Sequence, residues 1–224
     1  MAPHYIAHRI NTIDALKRTP TNYGVELDLR DVNNELVLTH DPFTTGERFC
    51  DYLKHYQHGT MILNIKSERI EHKVLEAISQ AGTVKDYFFL DSSFPMIHTL
   101  VKQNESNIAV RFSEYEPIES ALALKGKIKW VWIDCFNVLP LNQAVYQQLK
   151  QHFKLCIVSP ELQGHPIEMI ASFATKLNQF PVDAICTKRP SIWQKEFSTC
   201  LDIKNQPALK SHIAHGGKCR AEIA

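Results

Sequence analysis

Eight short runs of aliphatic, β-branched and aromatic residues recur along the chain, and the stretches between them carry helical spacing. The runs are YIAHRI from Tyr5, GVELDLR from Gly24, MILNIK from Met61, YFFLDSS from Tyr87, IAVRFS from Ile108, KWVWIDCF from Lys129, KLCIVSP from Lys154 and DAICTKRP from Asp183. Such alternation is the pattern of repeated β and α units packed as a parallel sheet under helices. Eight units in 224 residues predict an α/β fold, a single (β/α)8 barrel near its lower size limit. A hydrophobic content of 44% suffices to fill the core of such a barrel.

The clearest predicted helix spans Glu68 to Ala81, where Ile70, Val74 and Ile78 recur at helical spacing and Gly82 supplies a stop. Further helices are expected after Pro95, near Ile118 to Leu124, from Leu141 to His152 and from Pro166 to Leu177. Leu36 to Thr39 reads as a small extra strand, paired with its predecessor through a turn at Asn33-Asn34. No internal repeat or linker interrupts the pattern, so one domain is expected over residues 1–201, with an aperiodic tail over 202–224.

A net charge of +1 without a basic block leaves no electrostatic footprint for nucleic acid. No apolar run approaches the ~18 residues of a membrane span. The first strand-like run begins at Tyr5, which leaves no room for a secretory signal, so a cytoplasmic protein is expected. Composition specifies no oligomeric state. The cysteines at 50, 135, 156, 186, 200 and 219 form neither CxxC pairs nor a compact disulfide spacing, and read as buried free thiols.

Chemistry concentrates between Tyr5 and Asp41. In GVELDLR the alternation places Val25, Leu27 and Leu29 on one face and Glu26, Asp28 and Arg30 on the other. On a water-facing sheet that second face is merely solvated. In a barrel strand it points inward, where unpaired carboxylates cost several kcal/mol unless a cation or ligand compensates them. Two carboxylates on one face of a strand suit a hard divalent ion, Mg2+ or Ca2+. His8-Arg9 ends the first strand and His40-Asp41 ends the extra one, so both pairs can flank such an ion. Two histidines across a phosphate can serve as general base and general acid, and an arginine beside them can clamp phosphoryl oxygens.

AHR followed by NT, then GVELDL, then LVLTHDPF resembles the glycerophosphodiester phosphodiesterase family, a branch of the phospholipase-C-like phosphodiesterases. LNIK at 63–66 resembles the family's third-strand Glu-x-Lys segment, and VDAICTKRP at 182–190 resembles its last strand. The resemblance spans nearly the whole chain and implies a TIM barrel. It also implies lipid metabolism as the setting, a small phosphodiester as the substrate and one divalent metal ion, Mg2+ or Ca2+ with Mn2+ as a third choice. Carried onto this sequence, it implies His8 and His40 as the acid/base pair, Glu26 and Asp28 as metal ligands, and Arg9 and Lys66 as contacts to phosphate.

The sequence departs from the family at several positions. Asn64 stands where a third carboxylate ligand is usual and can ligate only through its amide oxygen, so the compensating acids are Asp91, Asp134 and Glu161, with Glu161 and Asp134 the best placed. The compact His8-Arg9-Ile10-Asn11 is also similar to the spider-venom phospholipase D branch, and in the phosphoinositide phospholipases an asparagine near the first histidine binds calcium. Asn11 is therefore a further candidate ligand. Those relatives often form a cyclic product, so a lyase is an alternative to a hydrolase. A non-catalytic anion-binding barrel is a second alternative. Little chain separates Lys66 from the next helix, so the family's large capping insertion is absent. Arg111 adds a cation as a third phosphate contact, and Lys188 replaces the family's last-strand aspartate, which suits a more anionic substrate.

Overall fold

The computed structural model describes residues 3–205. Among the described residues ten strands are present: β1 His4–Ala7, β2 Gly24–Val32, β3 Glu35–Leu38, β4 Glu47–Arg48, β5 Met61–Ile65, β6 Tyr87–Leu90, β7 Ala109–Phe112, β8 Trp130–Ile133, β9 Lys154–Val158 and β10 Ala184–Thr187. Eight of them pair in parallel in the order β6-β5-β2-β1-β10-β9-β8-β7, and a parallel bridge from Phe89 to Ile108 joins β6 to β7. The sheet is thereby closed into the expected barrel. Each of the eight predicted runs supplies one of its strands.

Helices alternate with these strands: α1 Ile13–Arg18, α2 Phe49–Leu53, α3 Glu71–Ala81, α4 Phe94–Lys102, α5 Ile118–Leu122, α6 Gln143–Lys150, α7 Met169–Leu177 and α8 Pro190–Asn205. Their ends follow local chemistry. Thr12, Ser93 and Asn142 cap α1, α4 and α6 by accepting backbone N–H bonds from Ala15, Met96 and Val145. Gly82 closes α3 at φ 64, donating its N–H to Ile78. That helix begins at Glu71 rather than Glu68, because Arg69 sits at φ 68 and breaks the helical path. The extra strand forms as expected: β3 runs antiparallel to β2, and Asn33 and Asn34 take φ values of 50 and 67 in the turn between them.

Packing separates into two layers. The barrel interior holds Ile6, Ile62, Phe88, Trp130, Cys156 and Cys186 among others, with the Phe88 and Trp130 rings stacked 4.6 Å apart. The opposite faces of the strands, including Val25, Leu27 and Leu29, pack beneath the helices in the larger cluster. At Gly24 a Cβ would lie 2.4 Å from the Thr60 carbonyl oxygen, so only glycine lets β2 start this close to the loop before β5. Cys135, Cys156 and Cys186 are buried free thiols, as read from the sequence. Cys50 is instead exposed, because α2 presents it to solvent.

The boundary expected at 202 falls inside α8, and residues 206–224 lie outside the described part of the chain. Among the described residues no helix is long and apolar enough to cross a membrane. Near its start α8 buries Trp193 completely, where its indole Nε1 donates to Ser159 Oγ at 2.7 Å and its ring stacks on Phe197. Trp193→Ala removes that anchor and leaves a cavity, so unfolding by denaturant should show a loss of about 3–5 kcal/mol. A loss under about 1 kcal/mol would mean that α8 is not a structural part of the barrel.

Candidate functional site

The C-terminal ends of β1, β2 and β5 bring the acidic residues together. Glu26 and Asp28 are completely buried on the inward face of β2, as the alternation requires. Asp28 is in register with Asn64 on β5, and Asn64 Nδ2 donates to Glu26 Oε1 at 2.8 Å. The loop after β1 folds over this floor. Arg9 N donates to Glu26 Oε2 at 2.7 Å, and the Arg9 backbone holds a left-handed φ of 55 to do so. Asn11 binds Asp28 twice: its Nδ2 donates to Oδ2, and its Oδ1 accepts from the Asp28 N–H, both at 2.8 Å.

His8 and His40 line one cavity of about 320 Å3 together with Arg9, Glu26, Asn64, Lys66, Arg111 and Lys188. His8 Nε2 approaches Glu26 Oε2 only to 3.7 Å, and Nδ1 is buried with no partner. Burial, followed by the charges of Arg9, Lys188, His40 and Lys66, pushes its imidazole down to about 3. His8 is therefore neutral at working pH. His40 is more exposed, and its Nδ1 lies 2.7 Å from Asp41 Oδ1. That bond chiefly, with the His40 charge, holds the Asp41 carboxyl below its usual range.

Arg30 positions this side of the cavity, a role not assigned from sequence. Its guanidinium donates twice to the His40 carbonyl, at 3.1 and 3.0 Å, and once to the Lys66 carbonyl at 2.8 Å. The signal was present in GVELDLR, where Arg30 follows Glu26 and Asp28 on the same face of the strand.

Lys66 and Arg111 are engaged by carboxylates. Lys66 Nζ donates to Asp91 at 3.0 Å and lies 3.8 Å from Asp28 Oδ1. Arg111 grips Asp91 bidentately, at 2.7 and 2.9 Å, and donates a third bond to Asp134. Burial alone would raise the Asp91 carboxyl, but the hydrogen bonds and charges of Arg111 and Lys66 outweigh it and hold the group low. For Asp134 burial prevails and the pKa is raised despite Arg111.

These contacts revise three of the candidate metal ligands. Glu161 is not brought to Glu26 and Asp28; a turn of 3-10 helix at Pro160–Gln163 aims its carboxylate at Ser159, Thr187 and the Lys188 N–H. Asn11 uses both ends of its amide on Asp28, so in this structure it positions that carboxylate. Asp134 is bound by Arg111, Trp132 Nε1 and Gln163 Nε2.

Among the described residues no group of three or more His, Cys, Asp or Glu side chains is placed to hold a metal ion. The floor of the cavity nonetheless has the character of a cation site. Asp28 Oδ1 and Asn64 Oδ1 are buried without hydrogen-bond partners. Burial and then the Asp28 charge push the Glu26 carboxyl up to about 7, against the pull of Asn64, Arg9 N–H and Lys66. Two unsatisfied oxygens beside a carboxylate that resists ionising suit a hard divalent ion, with the Asn64 amide oxygen in place of a third carboxylate.

Without such an ion the folded protein holds the Glu26 proton more tightly than the unfolded chain, whose carboxyl titrates near 4.5. Glu26 therefore adds stability below about pH 4.5, and this contribution is lost as pH rises through 7. The loss amounts to about 3 kcal/mol. In chelator, the stability of the wild type relative to Glu26→Gln should fall across that window, whereas the opposing titration of His8 is common to both proteins. Parallel pH profiles would show that Glu26 ionises as freely in the fold as in water.

No protein-family model matches the chain, and no curated protein sequence matches it. Similarity appears in three-dimensional structure. A glycerophosphodiester phosphodiesterase from Agrobacterium tumefaciens superimposes with a TM-score of 0.63 at 16% identity, covering 86% of this chain and 99% of that one. A putative glycerophosphoryl diester phosphodiesterase from the same organism gives a TM-score of 0.68 at 14% identity, over 90% of this chain and 100% of that one. A glycerophosphoryl diester phosphodiesterase from Parabacteroides distasonis gives 0.63 at 13% identity, over 89% and 87% of the two chains. The chain has the TIM-barrel fold of solved glycerophosphodiester phosphodiesterases.

Proposed function

We propose that the chain is a metal-dependent phosphodiesterase that hydrolyses a small glycerophosphodiester-like substrate. The observation that carries this reading is the placement of His8 and His40 in one cavity with Glu26 and Asn64, where Asn64 Oδ1 and, on the neighbouring strand, Asp28 Oδ1 are buried without partners. The fold shared with solved glycerophosphodiester phosphodiesterases supports it.

Glu26, Asp28 and Asn64 would hold one divalent ion, Mg2+, Ca2+ or Mn2+. Such an ion, when bound, neutralises phosphoryl charge and lowers the pKa of a coordinated hydroxyl. The chain's own residues then have defined tasks. Neutral His8 accepts the proton of the attacking hydroxyl at Nε2, the ring nitrogen that faces Glu26. His40, held at Nδ1 by Asp41, donates from Nε2 to the leaving alkoxide, and Asp41 stabilises the imidazolium. Arg9, with 44% of its side chain exposed, is the cation best able to grip phosphate oxygens. Lys66 and Arg111 are each oriented by carboxylates through part of their N–H groups and keep further donors for the phosphate.

The reading places the enzyme in glycerophospholipid turnover, acting on a soluble small molecule. Phosphorus NMR of a glycerophosphodiester panel, with and without chelator, tests it. A new monoester signal that chelator abolishes is expected, and His8→Ala or His40→Ala should slow its appearance by about 100-fold or more while leaving the fold intact. A cyclic phosphate would make the enzyme a lyase. An unchanged spectrum across the panel would leave only an anion-binding barrel.

A further inference from the structure

A second cavity, of about 240 Å3, opens beside the catalytic one, and Arg111 lines both. It lies at the seam of the barrel. Neighbouring barrel strands elsewhere pair over two to five residues, whereas β6 and β7 are joined by the single bridge between Phe89 and Ile108. Toward the mouth the two strands part. Ala109 belongs to the barrel interior and Val110 to the outer layer, and both line this cavity, which is bounded by β7, α4 and the loop before α5.

The walls are mostly apolar, with Glu116 on one side, and the inner end is charged. Phe94 and Ile97 from α4, Val110 from β7, and Tyr115 and Pro117 from the loop before α5 form the sides. At the inner end stands Arg111, with Asp91 taking two of its N–H groups and Asp134 a third. The Ser92 hydroxyl, also on the lining, is buried with no partner. At the outer end Phe94 and Tyr115 are 58% and 74% exposed. Tyr115 also packs on Phe136, which lines the catalytic cavity, so one aromatic rim serves both openings.

We infer that this cleft is a subsite for an apolar alcohol substituent of the phosphodiester, the group joined through oxygen to the phosphorus held in the catalytic cavity. The inference rests on the phosphodiesterase reading for the position of the phosphate. Its volume exceeds the ~150 Å3 of an apolar cavity known to admit benzene, so several methylenes or an aromatic ring fit. A glycerol or choline group would leave its apolar walls in contact with water. The substrate is thereby distinguished from a wholly polar glycerophosphodiester: its phosphate and one polar alcohol lie over Glu26 and Asp28, and its apolar alcohol lies in the cleft bounded by β7 and α4.

Calorimetric binding of n-alkyl phosphates from ethyl to octyl, and of phenyl phosphate, to the full chain tests the subsite without requiring turnover. Affinity should rise about two- to fourfold per added methylene until the cleft is filled. Ser120→Phe, which projects a ring into the cleft from α5, should flatten that rise while ethyl phosphate binds as before. Phe94→Ala alters an exposed rim residue and should weaken only the longer chains, which keeps the test decisive if Ser120→Phe fails to fold. Either a hexyl or a phenyl preference supports the subsite and identifies its occupant as a chain or a ring. Chain-length-independent affinity in the wild type, or a rise that survives in both folded variants, overturns it. Glycerophosphodiester turnover measured alongside separates the two ideas: turnover with a flat series removes the subsite alone, and a rising series without turnover removes the phosphodiesterase reading alone.

Discussion

Burial of Glu26 and Asp28 side by side on the inward face of β2 sets the terms for the whole mouth of the barrel. Each carboxylate taken out of water costs several kcal/mol unless it is paired and hydrogen-bonded. The surrounding chain supplies part of that compensation. Asn11 and Asn64 present amides, and the Arg9 backbone presents an N–H. Lys66 and the Arg9 guanidinium stop 3.8 Å from Asp28, beyond hydrogen-bond reach. The compensation is incomplete, since Glu26 still resists ionisation and two oxygens remain unpartnered. A floor built this way is organised for a further positive charge.

The same demand accounts for two of the strained backbone positions. Arg9 and Asp91 both adopt left-handed φ values, of 55 and 63, which non-glycine residues take at a cost of about 1 kcal/mol or more. At Arg9 the strain delivers the N–H to Glu26 and turns His8 into the cavity. At Asp91 it turns the carboxylate back between Lys66 and Arg111. Lys66, Asp91, Arg111 and Asp134 thus form one alternating chain of charges around the mouth. A phosphate entering the cavity meets fixed dipoles and charges that need little rearrangement, which is the arrangement that favours a charged transition state.

The sequence was most legible where one periodicity ran without interruption. All eight barrel strands could be read because both of their faces are buried, and the Asn33-Asn34 turn because two adjacent asparagines accept positive φ. Glu26 and Asp28 followed from simple alternation on β2. Helix α1, six residues long with Leu16 as its one buried residue, is too short to show a period. Glu161 illustrates the limit for the site. Its position after β9 was visible, but the 3-10 turn that aims its carboxylate at Thr187 leaves no periodic trace. The use of the Asn11 amide is likewise a tertiary fact, decided 17 residues away at Asp28.

The central claim is that the oxygens of Glu26, Asp28 and Asn64 hold a divalent cation. Its most direct test is calorimetric titration of Mg2+, Mn2+ and Ca2+ into chelator-stripped protein near pH 7, repeated in two buffers of different ionisation heat. Binding should be accompanied by proton release, because burial and the Asp28 charge raise the Glu26 carboxyl and a cation must displace its proton. Asp28→Asn should abolish that binding. Failure of every divalent ion to bind, even with a phosphodiester present, would contradict the account.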